Sequence, residues 1–288
     1  MKIGLGLPTV FPSDQGHLVM EWARRADAAG FSSLCILDRI VYANYEPLVT
    51  LTAAAAVTDR IRLMTNILIA PLRSAGVLAK QAATLDVISG GRLTLGFGVG
   101  SRPDDFEVAR TSVHDRGRRF EEQLAVMKRI WAGDDAGEGA GPVGPLPVQP
   151  GGPQLILGGR SPAALKRVAR WADGYVSGSV SNIPGLLANY EVVEDAWRAE
   201  GRPGKPLLIG TMTCAIGEEA ARLTDEAGRA YYGPQGGTPG AAGTTPHTAD
   251  AIGEQLAACE AAGVDEVFLR PAGVTDPDQV DLLAAVLR

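Results

Sequence analysis

Eight short strand-like runs recur along this 288-residue chain at spacings that leave room for a helix after almost every one. They begin at Lys2 (KIGLGL), Ser33 (SLCIL), Ile61 (IRLMTNILI), Arg92 (RLTLGFGV), Gln154 (QLILG), Gly174 (GYVSG), Leu207 (LLIGTMTCAI) and Asp265 (DEVFLR). Helical patterns lie between them, among them LVMEWARRADAAG, ending on Gly30, and GVLAKQAATLDVISGG, ending on Gly90 and Gly91. Terminal glycines of this kind are C-cap signals. The segment RGRRFEEQLAVMKRIWAG sets Phe120, Leu124, Met127 and Trp131 on one helical face. In SPAALKRVARWADG, Ser161 is the N-cap and Pro162 the first helical residue. PGLLANYEVVEDAWRAEG and TADAIGEQLAACEAAG supply the later helices. Strands alternating with helices imply right-handed parallel crossovers. Eight such units predict an α/β chain folded as a single (β/α)8 TIM barrel over residues 1–288, in preference to an open doubly wound sheet.

Two segments interrupt the rhythm, Gly133 to Pro153 and Gly233 to Pro246, both rich in Gly and Pro and without periodicity. They read as two loop insertions within one domain, serving either as lids or binding loops or as plain connectors. The acidic balance, 33 Asp and Glu against 27 Lys and Arg, argues against a nucleic-acid partner, because phosphate backbones are gripped by clustered basic residues. No apolar run approaches the roughly 18 residues of a membrane span, and the N-terminus is too interrupted by Gly and Pro for a signal peptide. The three cysteines, Cys35, Cys214 and Cys259, are far apart and set among apolar neighbours, which suits reduced, buried thiols and a cytoplasmic protein.

In a barrel of this kind the site lies at the C-terminal ends of the strands. Those ends carry Arg39, Arg73, Arg102 and Arg160, which suggests an anionic ligand unless Asp38, Glu46, Asp104 and Asp105 pair with them. In LILGGRSPAAL a strand stops at Gly158 and Gly159 and a helix starts at once, so backbone N–H groups and the positive helix end face the rim, an arrangement able to bind phosphate. The same residues would also cap a helix with no ligand. In RLTLGFGVGS the apolar positions Leu93, Leu95, Phe97 and Val99 alternate with Thr94, Gly96 and Gly98. Glycine within a strand marks a place where a ligand or another backbone comes close. His17, His114 and His247 are scattered and no HExxH motif occurs, so no metal site is expected. No Gly-x-Ser-x-Gly elbow sits at a strand end, and no lysine is clearly placed there for a Schiff base. His114 lies between the fourth strand's loop and the long helix, where a hydrogen bond to that loop is its simplest role.

The block LAKQAATLDVISGGRLTLGFGVGSRPDDFE followed by HDRGRRFEEQLAVMKRIW, with GGPQLILGGRSPAALKRVARWADGYVSG and AIGEQLAACEAAGVDEVFL after it, resembles the luciferase-like flavin and deazaflavin oxidoreductases. These blocks are spread between Leu78 and Leu269, a span of roughly two thirds of the chain, and occur in the family's order. The resemblance implies a (β/α)8 barrel and a site for a phosphate-bearing isoalloxazine or deazaflavin ring. By matching motifs, Gly158, Gly159, Arg160 and Ser161 would hold the phosphate, with Gly98, Gly100, Ser101 and Arg102 opposite. The glycines of the fourth strand would then admit a planar ring. In the family the third strand often carries a non-prolyl cis peptide behind the ring, and TNIL places it at Asn66-Ile67.

Two departures matter. Arg39 stands where family members commonly place a histidine, and Ser101 where the sugar-phosphate dehydrogenase branch has a glutamate, which removes the obvious bases for alcohol oxidation. Asp38, Arg39 and His114 remain as catalytic candidates, with Tyr42, Tyr45, His114 or Asp104 as proton donors. The leading expectation is an oxidoreductase passing hydride between coenzyme F-420, the deazaflavin, and a small organic substrate. An FMN-dependent monooxygenase, a non-catalytic flavin-binding barrel and a cofactor-free lyase are the alternatives. The family often forms dimers, so a homodimer through LVTLTAAAAVTDRI is an option, although burial in the barrel's outer ring explains that apolar face equally well.

Overall fold

Side-chain parity along the strands decides where the two cores lie. A computed structural model describes residues 1–9, 16–137, 139, 141–232 and 245–287. Its strands are β1 (Lys2–Gly6), β2 (Ser33–Ile36), β3 (Arg62–Ile69), β4 (Leu93–Gly98), β5 (Gln154–Gly158), β6 (Gly174–Val176), β7 (Leu207–Thr213) and β8 (Glu266–Arg270). They pair in chain order, all parallel, and β8 closes on β1, giving an eight-stranded barrel. Alternate residues such as Leu34, Ile36, Leu63, Leu95, Phe97, Leu155 and Leu157 face outward into the large core beneath the helices. The residues between them, Cys35, Met64, Ile156, Val176, Ile209 and Phe268, fill the barrel itself. Closure leaves little width inside, so small and large residues alternate around it. A Cβ at Gly4 would lie 2.5 Å from the Phe268 ring.

The helices around the barrel are α1 (His17–Ala29), α2 (Pro47–Ala55), α3 (Ala75–Ile88), α4 (Pro103–Val108), α5 (Arg116–Ala132), α6 (Pro162–Trp171), α7 (Ile183–Ala199), α8 (Ala220–Tyr232), α9 (Ala249–Ala261) and α10 (Asp278–Ala284). α1 ends on Gly30 at φ 91°, the left-handed C-cap expected there. The Phe120, Leu124, Met127 and Trp131 face of α5 is buried against the barrel. Among the described residues no helix is long and apolar enough to cross a membrane.

Carboxylates fasten the face where the strands begin. Asp27 accepts from the Asp59 and Ile61 N–H groups, Asp173 from Leu155 and Asp265 from Leu208. Buried Asp86 accepts from the backbone of Val148 and Gln149 and from the Gln149 side chain. This changes the reading of the Gly133–Pro153 segment. It joins α5 to the start of β5, at the end of the barrel opposite the strand C-termini, and Asp86 ties it down, so the segment is not placed to act as a lid. The other insertion, Gly233 to Pro246, lies outside the described residues except for Thr245 and Pro246.

Candidate active site at the barrel mouth

β3 carries an irregularity that shapes the floor of the mouth. Its register against β4 shifts between Thr65 and Leu68, and the Asn66-Ile67 peptide is cis, at the position expected from the sequence. Both side chains reach the barrel interior. Asn66 Nδ2 donates across the barrel to Thr211 Oγ1 on β7 at 2.9 Å and to the Cys35 sulfur at 3.8 Å. Ile67 leans the other way, over β4 and β5, where a Cβ at Gly98 would overlap its Cδ1 and one at Gly158 would lie 3.1 Å from it. The close approach marked by Gly98 is therefore to Ile67. At Gly96 it is to the Thr65 carbonyl. These two glycines make room for the bulge of β3, and the floor for any ring is the Ile67 side chain standing on them.

The floor is thus divided. Ile67 and Val176 make one side apolar, and Asn66, Thr211, Thr213 and Arg270 make the other polar. Arg270 ends β8 and, among the described residues, its side chain gives one hydrogen bond, to Thr213 Oγ1 at 2.8 Å, while its Nε is buried without a partner. Cys35 sits below, and burial pushes its thiol up to about 12, so it is a neutral thiol at physiological pH.

Three of the four rim arginines are already engaged. Arg39, 4% exposed, donates from Nε to Asp105 Oδ2 at 2.6 Å and from Nη2 to Asp104 Oδ2 at 3.1 Å. The other Asp105 oxygen accepts from the Ile40 and Val41 N–H groups. Arg73 grips both oxygens of Asp38, at 2.6 and 3.0 Å, and reaches Glu46 at 3.1 Å. Asp38 also accepts from the Ile69 N–H. Asp38 and Arg39 therefore hold the β2 loop to its neighbours. Arg102 donates to the Tyr231 carbonyl at 2.8 Å and stacks on the Tyr231 ring, which Arg39 also approaches. Tyr42 meets that ring edge-on at 5.3 Å.

Tyr231 is on α8, whose Leu223, Thr224 and Ala227 pack at Gly273, Ala272 and Leu37. β8 and β4 stand opposite each other in the closed barrel, so α8 crosses the mouth and roofs part of it. Beside it a cleft of about 70 Å³ is lined by Ser179, Ser181, Met212, Thr213, Thr245 and Gln255.

Arg160 is the remaining rim arginine. It is exposed, and among the described residues no carboxylate pairs with it. Gly159 beside it has φ 144°, and a Cβ there would lie 2.5 Å from the Ala164 Cβ, so only glycine lets the turn close onto α6. Ser161 caps α6 by accepting from the Ala164 N–H at 3.2 Å, with Pro162 following it. The remaining first-turn N–H groups and the positive end of the helix open to the mouth.

A family model for luciferase-like monooxygenases matches residues 1–287. The chain belongs to that family. An uncharacterized protein of Mycobacterium tuberculosis is 29% identical over 227 residues, spanning 76% of this chain and 79% of its own. The monooxygenase RslO1 from Streptomyces bottropensis superposes with a TM-score of 0.85 at 22% identity, over 100% of this chain and 98% of that one. The coenzyme F-420-dependent tetrahydromethanopterin reductase of Methanopyrus kandleri gives 0.79 at 19% identity, over 98% and 97%. At these identities the structural likeness concerns the fold. Luciferase-like enzymes are F-420- or flavin-dependent oxidoreductases and monooxygenases.

The residues present fit the ring and phosphate of such a cofactor. The divided floor matches a planar heterocycle that is apolar at one edge and polar at the other, and the α6 N-terminus with Arg160 matches a phosphate. Gly100, at φ 72°, and exposed Ser101 lie on the adjoining β4 loop. His114 is not gathered into this site. Its N–H donates to Ser112 Oγ and its side chain is exposed in the loop before α5. Thr211, Thr213 and Arg270 are mouth residues that stand in the strand ends TMTC and RPAG but were given no role from sequence. Parity was the available signal, since Arg270 follows the inward Glu266 and Phe268 at steps of two. Among the described residues no group of three or more His, Cys, Asp or Glu could hold a metal ion.

Proposed function

We propose that this luciferase-like enzyme passes hydride between the deazaflavin coenzyme F-420 and a small organic substrate. The observation that carries the reading is the β5–α6 edge, where Arg160 faces solvent beside a capped helix N-terminus. FMN ends at its phosphate, whereas the deazaflavin bears further anionic groups beyond it, and an open arginine at the phosphate end suits the longer ligand. Nearby, a Cβ at Gly178 on the β6 loop would meet nothing within 4 Å, so the chain leaves space there. The deazaflavin supplies the hydride chemistry when bound. Asn66 and Ile67 would support the ring from below, α8 would exclude water from above, and Gly159, Arg160 and Ser161 would anchor the phosphate. Tyr42, whose phenol burial raises above the ordinary tyrosine range, stays protonated at neutral pH and is the proton donor in this reading.

Titrating the cofactor-free protein with FMN and with F-420 side by side, followed by fluorescence, tests the proposal. Tighter binding of F-420, weakened at least tenfold by Arg160→Glu, is the expected result. A preference for FMN would put oxygen activation by a reduced flavin first instead. If neither binds at micromolar concentration, the phosphate site at Gly159–Ser161 is misassigned.

A further inference from the structure

We infer that Arg270 is the oxyanion-recognition residue of the barrel mouth, holding a carboxylate or an equivalent anionic oxygen of the small molecule that enters. The inference rests on the proposed function, because it places a ligand over the floor formed by Asn66 and Ile67. The treatment of charge elsewhere in the mouth makes Arg270 stand out. Arg39 is paired with Asp104 and Asp105, Arg73 with Asp38 and Glu46, and Arg102 with the Tyr231 carbonyl. Arg160 is exposed to water. Arg270 has a buried Nε without a hydrogen-bond partner and no carboxylate paired with it among the described residues.

A guanidinium has five donors, and among the described residues this one gives a single side-chain bond, to Thr213 Oγ1. Its described neighbours Cys35 and Asn66 offer no negative charge. Cys35 is a neutral thiol, and Asn66 spends its amide N–H on Thr211. Glu266, two residues earlier, accepts from the hydroxyls of Ser32 and Ser33 at the far end of the barrel. Gly6 is part of the arrangement, since a Cβ there would lie 3.3 Å from Arg270 Cγ and would crowd the side chain. A half-buried, under-used fork of donors is complementary to a planar oxyanion, which it can hold through two parallel bonds. Thr213 also lines the cleft by Ser179 and Ser181, so a ligand seated on Arg270 has a hydroxyl-lined recess beside it. The oxyanion can come from a substrate carboxylate or from the carbonyl edge of the cofactor ring.

The test compares wild type with Arg270→Met and Arg270→Lys in two binding assays that need no turnover. One measures thermal protection of the holoprotein by benzoate against its neutral isostere benzamide. The other measures dissociation constants for F-420 and FMN. A substrate role predicts that benzoate protects wild type and benzamide does not, that Arg270→Met loses the protection, and that cofactor affinity changes less than twofold. A cofactor role predicts at least tenfold weaker cofactor binding by Arg270→Met, with Arg270→Lys intermediate. Should Arg270→Met not fold, Arg270→Lys, which keeps the charge and loses the fork, carries both comparisons. If wild type binds cofactor but the variants match it in both assays, the inference is overturned while the proposed function stands. Failure of wild type to bind either cofactor would count against the function itself.

Discussion

At the scale of single residues, the mouth depends on where side chains have been left out. A methyl group at Gly96 would run into the Thr65 carbonyl, which is backbone and cannot move aside. Gly96→Ala should therefore cost on the order of 3 kcal/mol, read as a shift in the denaturation midpoint. At Gly98 the obstacle is the tip of Ile67, a side chain that can turn away. Gly98→Ala should cost less stability and weaken cofactor binding by tilting Ile67, and the double variant Gly98→Ala, Ile67→Val should recover binding because valine lacks the colliding methyl. If the double variant binds no better than Gly98→Ala, the ring does not rest on Ile67. The thiols give a pH prediction. Burial pushes both Cys35 and Cys214 up to about 12 from the ordinary 9.0. The folded state disfavours their ionisation, so the associated stability is intact below pH 9 and is lost as pH rises toward 12. Iodoacetamide at pH 8 should leave both unmodified until the protein unfolds.

At the scale of elements, the β2 loop is locked to α4 by Arg39 and Asp105, whose side chains are 4% and 0% exposed. Removing one partner of a buried pair leaves the other charge uncompensated. Asp105→Ala should cost about 3–5 kcal/mol, whereas replacing both, as Arg39→Met with Asp105→Leu, should restore much of the loss. Urea denaturation of the three variants would decide this, and equal losses in single and double variants would show that the pair is not the source. The helices that escaped sequence reading are informative too. α2, PLVTLTAAA, is apolar on most of its surface and so has no period to detect, and α4 is only six residues long. α8 reads as an ordinary polar helix, and its position over the mouth follows from where β7 ends and what Tyr231 meets.

At the scale of the whole molecule, β1 and β8 join residues from opposite ends of the chain, through pairs such as Lys2 with Glu266 and Leu5 with Leu269. β8 also completes β7, from Ile209 to Thr213. A chain truncated before Asp265 would lose both ladders, the inner Phe268 and the floor residue Arg270. Such a chain should show no cooperative thermal transition by circular dichroism. A sharp transition would mean that an open seven-stranded sheet is stable, and that closure matters to the site more than to the fold.

The sequence by itself determined the barrel, because alternation, helix caps and strand parity are local and each is written in neighbouring residues. The eight strand runs and the Ser161 cap were legible for that reason, whereas the site at Asn66 and Ile67 was expected only from the resemblance to the luciferase-like family. Only the tertiary structure decided what the charges and glycines do. Arg39 and Asp105 are 66 residues apart, Asn66 and Thr211 are 145 apart, and nothing in either neighbourhood names the other. Four rim arginines looked alike in sequence, yet closure of the barrel engaged three of them and brought in a fifth, Arg270, from the end of the last strand. Pairing across a closed barrel depends on which strands face one another, and that is settled by the fold as a whole.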